Sequence, residues 1–399
     1  MRVAATHGAT NAGLDDAVGE ILGRRLLDDS PRPVAVALSG GGDSLALALI
    51  AQAWARRTGR RLLVLTVDHR LRSESAAWTD ACAATAARLG ASFQALAWTG
   101  DKPATGLPAA ARHARHALLA DAARDAGARV VLMGHTADDV LEARLMREAG
   151  STTPDPREWA PSPAWPQGRG VFLLRPMLRV RRRSIRDWLV ERGERWIDDP
   201  ANEDRAYARP RARQALAVGA AAGEEAPGAL AVSLALAVSL ALACGEDARG
   251  VLRIARDTLR DAAPEARARF VSAACLCAAG TDRPPSRERV ERLADRLGGE
   301  DVFTASLAGA RIATDAATAS FGREPGEAAR GGLTPVSLSA GEIGVWDGRF
   351  EIAADRDLEV RALRRTTLPV AADGSALQAA PLARERLLAA CGVIAREPA

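Results

Sequence analysis

The run Ser39-Gly40-Gly41-Gly42-Asp43-Ser44 constrains this chain more than any other stretch. It follows directly on Pro33–Leu38 (PVAVAL), a short apolar segment that reads as a buried parallel strand, and a helical stretch from about Leu45 to Arg57 comes after it. Three glycines remove Cβ atoms, so the backbone turns sharply and can approach an anion closely. The helix opening there aims free N–H groups and its positive dipole end at the same place. Ser39 and Ser44 add hydroxyl donors. Asp43 is the informative departure, because a carboxylate beside a phosphate is repulsive unless a cation bridges them. It is therefore expected to ligate Mg2+. A GxGxxG dinucleotide spacing does not fit. Nor does a Gly-Lys-Ser/Thr loop: among 54 Lys+Arg the one lysine, Lys102, follows Asp101.

The strand–helix unit repeats. Strands are expected at Leu62–Val67, Phe93–Trp98 and Val130–Met133, alternating with helices at Ala76–Leu89 and Leu107–Asp125, after a first amphipathic helix over 14–27. This alternation predicts an α/β fold, a doubly wound parallel sheet with helices on both faces. Residues 150–170, with five prolines, read as an irregular loop, and residues 175–213 hold twelve arginines against seven acids. Residues 216–300, rich in Ala, Leu and Arg, predict a helical domain. Short β-like runs such as Phe350–Ile352 predict a small α+β domain over 301–399, leaving 1–215 as the catalytic domain. The tandem LAVSLA at 230–241 lies in an uncharged stretch flanked by acids, without basic anchors, and reads as a duplication in a buried helix instead of a membrane span.

Five scattered cysteines exclude a disulfide scaffold and point to a reducing compartment. The first twelve residues have no apolar run of the secretory type, so a cytoplasmic protein is expected. The formal net charge of +4 permits an anionic partner without proving one.

The SGGGDS run resembles the pyrophosphate loop of the N-type ATP pyrophosphatases, a fold of the adenine nucleotide alpha hydrolase type. Further segments are similar to the tRNA(Ile)-lysidine synthetase family. Val67-Asp68-His69-Arg70-Leu71-Arg72-Ser73-Glu74-Ser75 resembles its VDHxLRxES segment, and Ala111-Arg112 with Arg115-His116 its AR..RY helix, with His where Tyr is usual. Gly134-His135-Thr136-Ala137-Asp138-Asp139-Val140-Leu141-Glu142 resembles GHHADDQAET, with Thr136, Val140 and Ala143 replacing His, Gln and Thr. Arg175-Pro176-Met177-Leu178, Trp196 to Asn202 and Arg209 to Arg213 look like its RPLL, W..DPSN and RN.IR stretches. The resemblance runs in order over about residues 33–215 and fades beyond.

It implies ligation of free L-lysine to C2 of the wobble cytidine of an isoleucine tRNA with a CAU anticodon. ATP first adenylates that position, and AMP and pyrophosphate are released. ATP with Mg2+ is then expected on Ser39, Gly40, Gly41, Gly42, Asp43 and Ser44. The incoming amine, with an ordinary pKa near 10.4, is unprotonated in only about one molecule in 10³ at pH 7. His135, at a strand's carboxyl end, is the candidate base, and a hydrogen-bonded strand-end histidine the alternative. Asp138 and Glu142, four apart on one helix face, are candidates for the lysine's ammonium groups or a metal; a solvated acidic face is the plainer reading. Asp68 and His69 are candidates for the nucleotide pocket, or form a plain turn. Arg205, Arg209, Arg211 and Arg213, with no acid between them, suit tRNA phosphates or a solvated helix face. Neither a membrane nor DNA is expected as a partner. The alternatives are a tRNA thiolase on the same ATP loop, which would need cysteines where residues 1–215 offer only Cys82, and a non-catalytic RNA-binding protein of this fold.

Overall fold

The computed structural model describes residues 12–150, 156–198, 211–214, 216, 237–326 and 333–399. The chain forms two compact units, residues 1–224 with 395–399, and residues 225–394.

The first unit contains α1 (Ala12–Arg25), β1 (Val34–Ala37), α2 (Gly42–Arg57), β2 (Leu62–Asp68), α3 (Ser75–Leu89), β3 (Ser92–Ala97), α4 (Leu107–Asp125), β4 (Val130–Leu132), α5 (Ala137–Glu148), β5 (Trp159–Pro161), β6 (Phe172–Leu174) and α6 (Arg182–Glu191). Its sheet has the order β3-β2-β1-β4-β6-β5. All neighbours are parallel except the edge strand β5, which runs antiparallel to β6. Strand residues alternate between two cores, as the pleat requires. Val34, Val36, Val64, Val130 and Leu132 pack with α1, α2 and α6, while Ala35, Leu63, Leu65, Val131 and Leu173 pack with α4.

β5 lies inside the proline-rich stretch that the sequence presents as an irregular loop. Three residues ending in Pro161 are too few to show a period, and proline is tolerated because the strand is at an edge. Trp159 anchors it by stacking on Phe172, with centroids 4.9 Å apart.

β1 has β2 on one side and β4 on the other, so the connections diverge between β1 and β4. In an open α/β sheet the carboxyl ends at such a switch point form the ligand crevice. The glycine loop leaves β1 there, and His135 lies just beyond β4.

The last residues of the chain belong to this unit. Glu397 is 0% exposed at its side chain and accepts from Arg60 at 2.6 and 2.9 Å, while Arg396 donates to the Leu26 carbonyl at 2.9 Å.

In the second unit, β7 (Gly245–Glu246), β8 (Leu252–Ala255), β9 (Thr304–Leu307), β10 (Ala310–Thr314) and β11 (Thr318–Arg323) form one sheet of order β7-β8-β11-β10-β9. Strands from both sides of residue 300 thus share a sheet, where the sequence predicts helices alone over 216–300. The helices are present too: Pro264–Ala279 buries Phe270, Val271, Ala274 and Cys275 in this unit's core. Residues beyond 333 add two three-stranded sheets. Of the tandem repeat, residues 237–241 are helical with Leu240 and Ala241 buried, and the rest lies outside the described residues. No described helix is long and apolar enough to cross a membrane.

Candidate active site

The glycine loop is shaped by two close approaches. Gly40 has φ +84°, the left-handed region that glycine enters freely, and a Cβ there would lie 2.7 Å from Ile197 Cδ1. Ile197 reciprocates by donating its N–H to the Gly40 carbonyl at 2.9 Å. Gly134, beyond β4, approaches from the other side: a Cβ there would lie 3.0 Å from the Asp43 carbonyl carbon and oxygen and from Ser44 Cα. Gly41 caps α2, which begins at Gly42, so the first-turn N–H groups of Gly42, Asp43 and Ser44 have no helical acceptor of their own. Ser44 turns inward. Its hydroxyl donates to the Gly41 carbonyl at 2.9 Å and accepts the Ser39 N–H at 3.2 Å, bracing the loop. Ser39 Oγ lies 3.2 Å from Ser44 Oγ.

Asp43 meets a cation of the chain itself. Arg182, the first residue of α6, donates Nε to Asp43 Oδ2 at 2.9 Å, Nη2 to Asp139 Oδ1 at 3.1 Å and Nη1 to Glu142 Oε1 at 3.1 Å. Its backbone N–H reaches Asp138 Oδ2 at 2.7 Å. One residue therefore gathers Asp43, Asp138, Asp139 and Glu142. Arg181 adds a contact to Asp138 Oδ1 at 3.1 Å, and Arg213 donates to Glu142 Oε1 at 2.9 Å. Burial raises the Asp43 carboxyl above its usual range, with Arg182 pulling the other way. Burial also opposes the Arg182 charge, but Asp139, Asp43 and Glu142 outweigh it, and its pKa is raised.

Among the described residues no group of three His, Cys, Asp or Glu side chains is arranged as a metal cage. Mg2+ usually needs none, being held by one or two carboxylates together with substrate phosphates. Asp43, at a phosphate-type cradle and matched by a guanidinium, fits that use.

Thr136 caps α5. Its N–H donates to Asp139 Oδ2 at 2.7 Å, and its hydroxyl lies 2.9 Å from the same oxygen. Thr136 thus holds Asp139 in place for Arg182, and Ala143 is packed in the interior at 3% exposure. His135 sits just before the cap, part-buried, its N–H donating to the Met133 carbonyl at 2.9 Å. Asp68 accepts the Arg70 N–H at 2.7 Å, which is turn geometry. His69 packs edge-on against Trp98, and Lys102 caps that ring, donating to the Trp98 carbonyl at 2.7 Å.

Sequence reasoning places Asp43, Asp138 and Glu142 in the crevice and the structure brings them together, but through Arg182, which sequence reasoning missed. Its signal was the arginine excess over 175–213, which does not say which arginine faces inward. Of the proposed RNA run, Arg205 and Arg209 lie outside the described residues, Arg211 is exposed, and Arg213 turns onto Glu142. The five cysteines are all buried and unpaired by disulfides, and burial raises the Cys82 thiol.

A family model described as a PP-loop domain matches residues 16–219. The tRNA(Ile)-lysidine synthase of Caulobacter vibrioides is 48% identical over 360 residues, covering 90% of this chain and 83% of that protein. The synthase of Hyphomonas neptunium is 36% identical over 321 residues, covering 76% and 84%. That of Brucella ovis is 36% identical over 338 residues, covering 80% and 73%.

Proposed function

Because the chain belongs to the tRNA(Ile)-lysidine synthase family and carries its PP-loop domain, we propose that it joins free L-lysine to C2 of the wobble cytidine in a CAU-anticodon isoleucine tRNA. It is a ligase that uses ATP to modify tRNA. The residue roles rest chiefly on one observation: the glycine loop, Asp43, His135 and the acid-bearing start of α5 meet at the β1–β4 switch point.

The cytidine C2 oxygen is a poor leaving group. In this reading it attacks the α-phosphate of ATP, a P–O bond forms, and pyrophosphate departs with its electron pair. The first-turn N–H groups of α2, with Ser39 beside them, stabilise that developing charge. Asp43 would hold Mg2+, which would supply further charge neutralisation when bound with ATP. The lysine ε-amine then attacks C2, and AMP leaves carrying the oxygen. His135 takes the proton that the amine must lose. Asp138 and Glu142 receive the lysine's ammonium charge. Glu142 is fully buried and already holds two guanidiniums, so it acts by yielding a contact to the incoming cation. Arg205, Arg209, Arg211 and Arg213 are assigned to tRNA phosphates, and Asp68 to the turn beside the nucleotide. The cytoplasm, where tRNA and free lysine meet, is its place.

The test is incubation with radiolabelled lysine, ATP and total tRNA, followed by nucleoside analysis. The expected product is a lysine-bearing cytidine formed together with AMP and pyrophosphate. A sulfur-bearing nucleoside would instead identify a thiolase, and absence of tRNA-dependent pyrophosphate release would identify a non-catalytic RNA binder.

A further inference from the structure

Arg182 offers each of its four nitrogens to a different carboxylate. Its backbone N–H donates to Asp138 Oδ2 at 2.7 Å, Nε to Asp43 Oδ2 at 2.9 Å, and Nη1 and Nη2 to Glu142 Oε1 and Asp139 Oδ1, both at 3.1 Å. Its side chain is 16% exposed and that of Glu142 0%, so these contacts are made largely out of water. The acids come from two places with different tasks. Asp43 stands in the first turn of α2, at the glycine loop, whereas Asp138, Asp139 and Glu142 stand on α5. A single guanidinium thus joins the carboxylate assigned to Mg2+ with Glu142, assigned to the lysine's ammonium charge.

A guanidinium is planar, and its three nitrogens are held in one rigid fork. Nε cannot leave Asp43 without carrying Nη1 and Nη2 out of line with Glu142 and Asp139, and hydrogen bonds weaken steeply once misaligned. Competition acts at both ends of the fork. A divalent cation at Asp43 repels Nε, and an ammonium at Glu142 repels Nη1. Phosphate oxygens in the cradle at 39–44 give the displaced guanidinium another anion to turn to. A buried charge must stay paired, and in this exchange each one does. Arg213 remains on Glu142 at 2.9 Å, and the backbone N–H of Arg182, which does not turn with the side chain, keeps Asp138.

We propose that Arg182 is a positioning residue that couples the nucleotide site to the lysine site. Without nucleotide it occupies the place of the lysine's ammonium; with nucleotide bound it turns to the phosphates and yields Glu142 and Asp139. This coupling rests on the lysidine synthase reading for its two ligands, and on the contacts of Arg182 for the link between them. Lysine then enters after ATP, so its amine is not held in the crevice before there is an activated position to attack. Linkage makes the effect reciprocal: the factor by which nucleotide tightens lysine is the factor by which lysine tightens nucleotide.

The experiment is equilibrium dialysis of radiolabelled L-lysine against the full-length protein, with Mg2+ present throughout. It is run with and without an ATP analogue whose α and β phosphorus atoms are bridged by methylene, so that it binds and is not cleaved. The analogue should tighten lysine binding by about tenfold, the size of a typical coupling between two sites. No gain in the parent overturns the proposal, whether or not a variant folds. In Arg182→Gln the resident cation is gone, so lysine should bind without the analogue about as tightly as it binds the parent with it, and the gain should disappear. Arg182→Lys serves where that variant does not fold, because it keeps a cation among the acids but as a point charge without the fork. Its gain should disappear as well. A gain that survives in the folded variant overturns the coupling role, since an arginine needed only for its charge would be replaced by lysine with the nucleotide dependence intact. Formation of the lysine-bearing nucleoside by a parent that shows no gain overturns the coupling alone. A gain without that nucleoside overturns the ligase reading alone.

Discussion

On the α5 side of the crevice, Asp43, Asp138, Asp139 and Glu142 each accept from an arginine of α6 or its flank, and Arg182 spans all four. On the α4 side, Arg175 has one carbonyl acceptor and His116 has no partner among the described residues. The first side pairs carboxylates with guanidiniums, whereas Arg175 and His116 are both basic groups. The acids are already neutralised by the chain, whereas the buried base is not. A cationic substrate on the α5 side must therefore exchange with a resident guanidinium. Exchange favours selectivity, because an ammonium must match what Arg182 gives up.

The largest effect expected from this contrast is at Arg182. Removing one partner of a buried ion pair strands the others, at a cost of about 3–5 kcal/mol. Arg182→Ala leaves Glu142, fully buried, and Asp139, 7% exposed, with a lost cation, so urea unfolding of the variant should show a loss of that size. Arg182→Lys restores the charge without the three-way fork and should fall between. A loss below about 1 kcal/mol, the range of surface pairs, would break the claim that the acidic side is balanced by this residue.

Next comes chemistry on the acidic side. Asp43→Asn keeps the loop's shape and removes the charge, so tRNA-dependent AMP formation should drop by about 10²–10³, the loss typical of a transition-state charge stabiliser. Binding of tRNA should not change. Near-normal turnover at saturating Mg2+ would remove Asp43 from the ligand role. His135→Ala should slow lysine transfer by about 10², the lower end for a proton-transfer group. Part of that loss should return with rising pH, since the free-amine fraction grows about tenfold per unit below its pKa near 10.4. A loss independent of pH would leave His135 a strand-end residue.

How much of this was legible follows from the range of each signal. The sheet and the loop could be read because both are local: PVAVAL is apolar over a strand's length, and Gly-Gly-Gly-Asp carries its own geometry. β5 could not, because its three residues become a strand by pairing with β6. Strands Gly245–Glu246 and Leu252–Ala255 were hidden for the same reason, since their partner is the distant Thr318–Arg323. In the site, Asp138 and Glu142 could be placed on one helix face by spacing. Arg182 could not, since its contact to Asp43 spans 139 residues. Thr136 reads as a lost histidine in sequence; in three dimensions it is the helix cap that orients Asp139. Arg175 and His116 escaped because burial is a property of packing, which spacing along a chain does not carry.

The smallest effect tests the basic side through acid stability. His116 is held below its ordinary value by burial first, then by Arg115, Arg112, Arg175 and His135. The unfolded chain takes up this proton near pH 6.5, and the folded chain only at lower pH. Between those values the unfolded state binds more protons, so stability rises with pH there. The contribution is complete above about 6.5 and is lost as pH falls towards the depressed folded value. His69, lowered by burial and then Arg115, acts in the same direction. The raised Asp43 carboxyl acts oppositely, since the folded chain takes up its proton first and is relieved by acid. His116→Phe should therefore flatten the fall in stability between pH 7 and 5, by at most about 1.4 kcal/mol per pH unit, the limit for one proton. It should also cost little at pH 7, because the ring it replaces leaves both nitrogens unbonded among the described residues. An unchanged slope would mean that His116 finds a proton acceptor in the folded protein, and the two sides of the crevice would then be balanced alike.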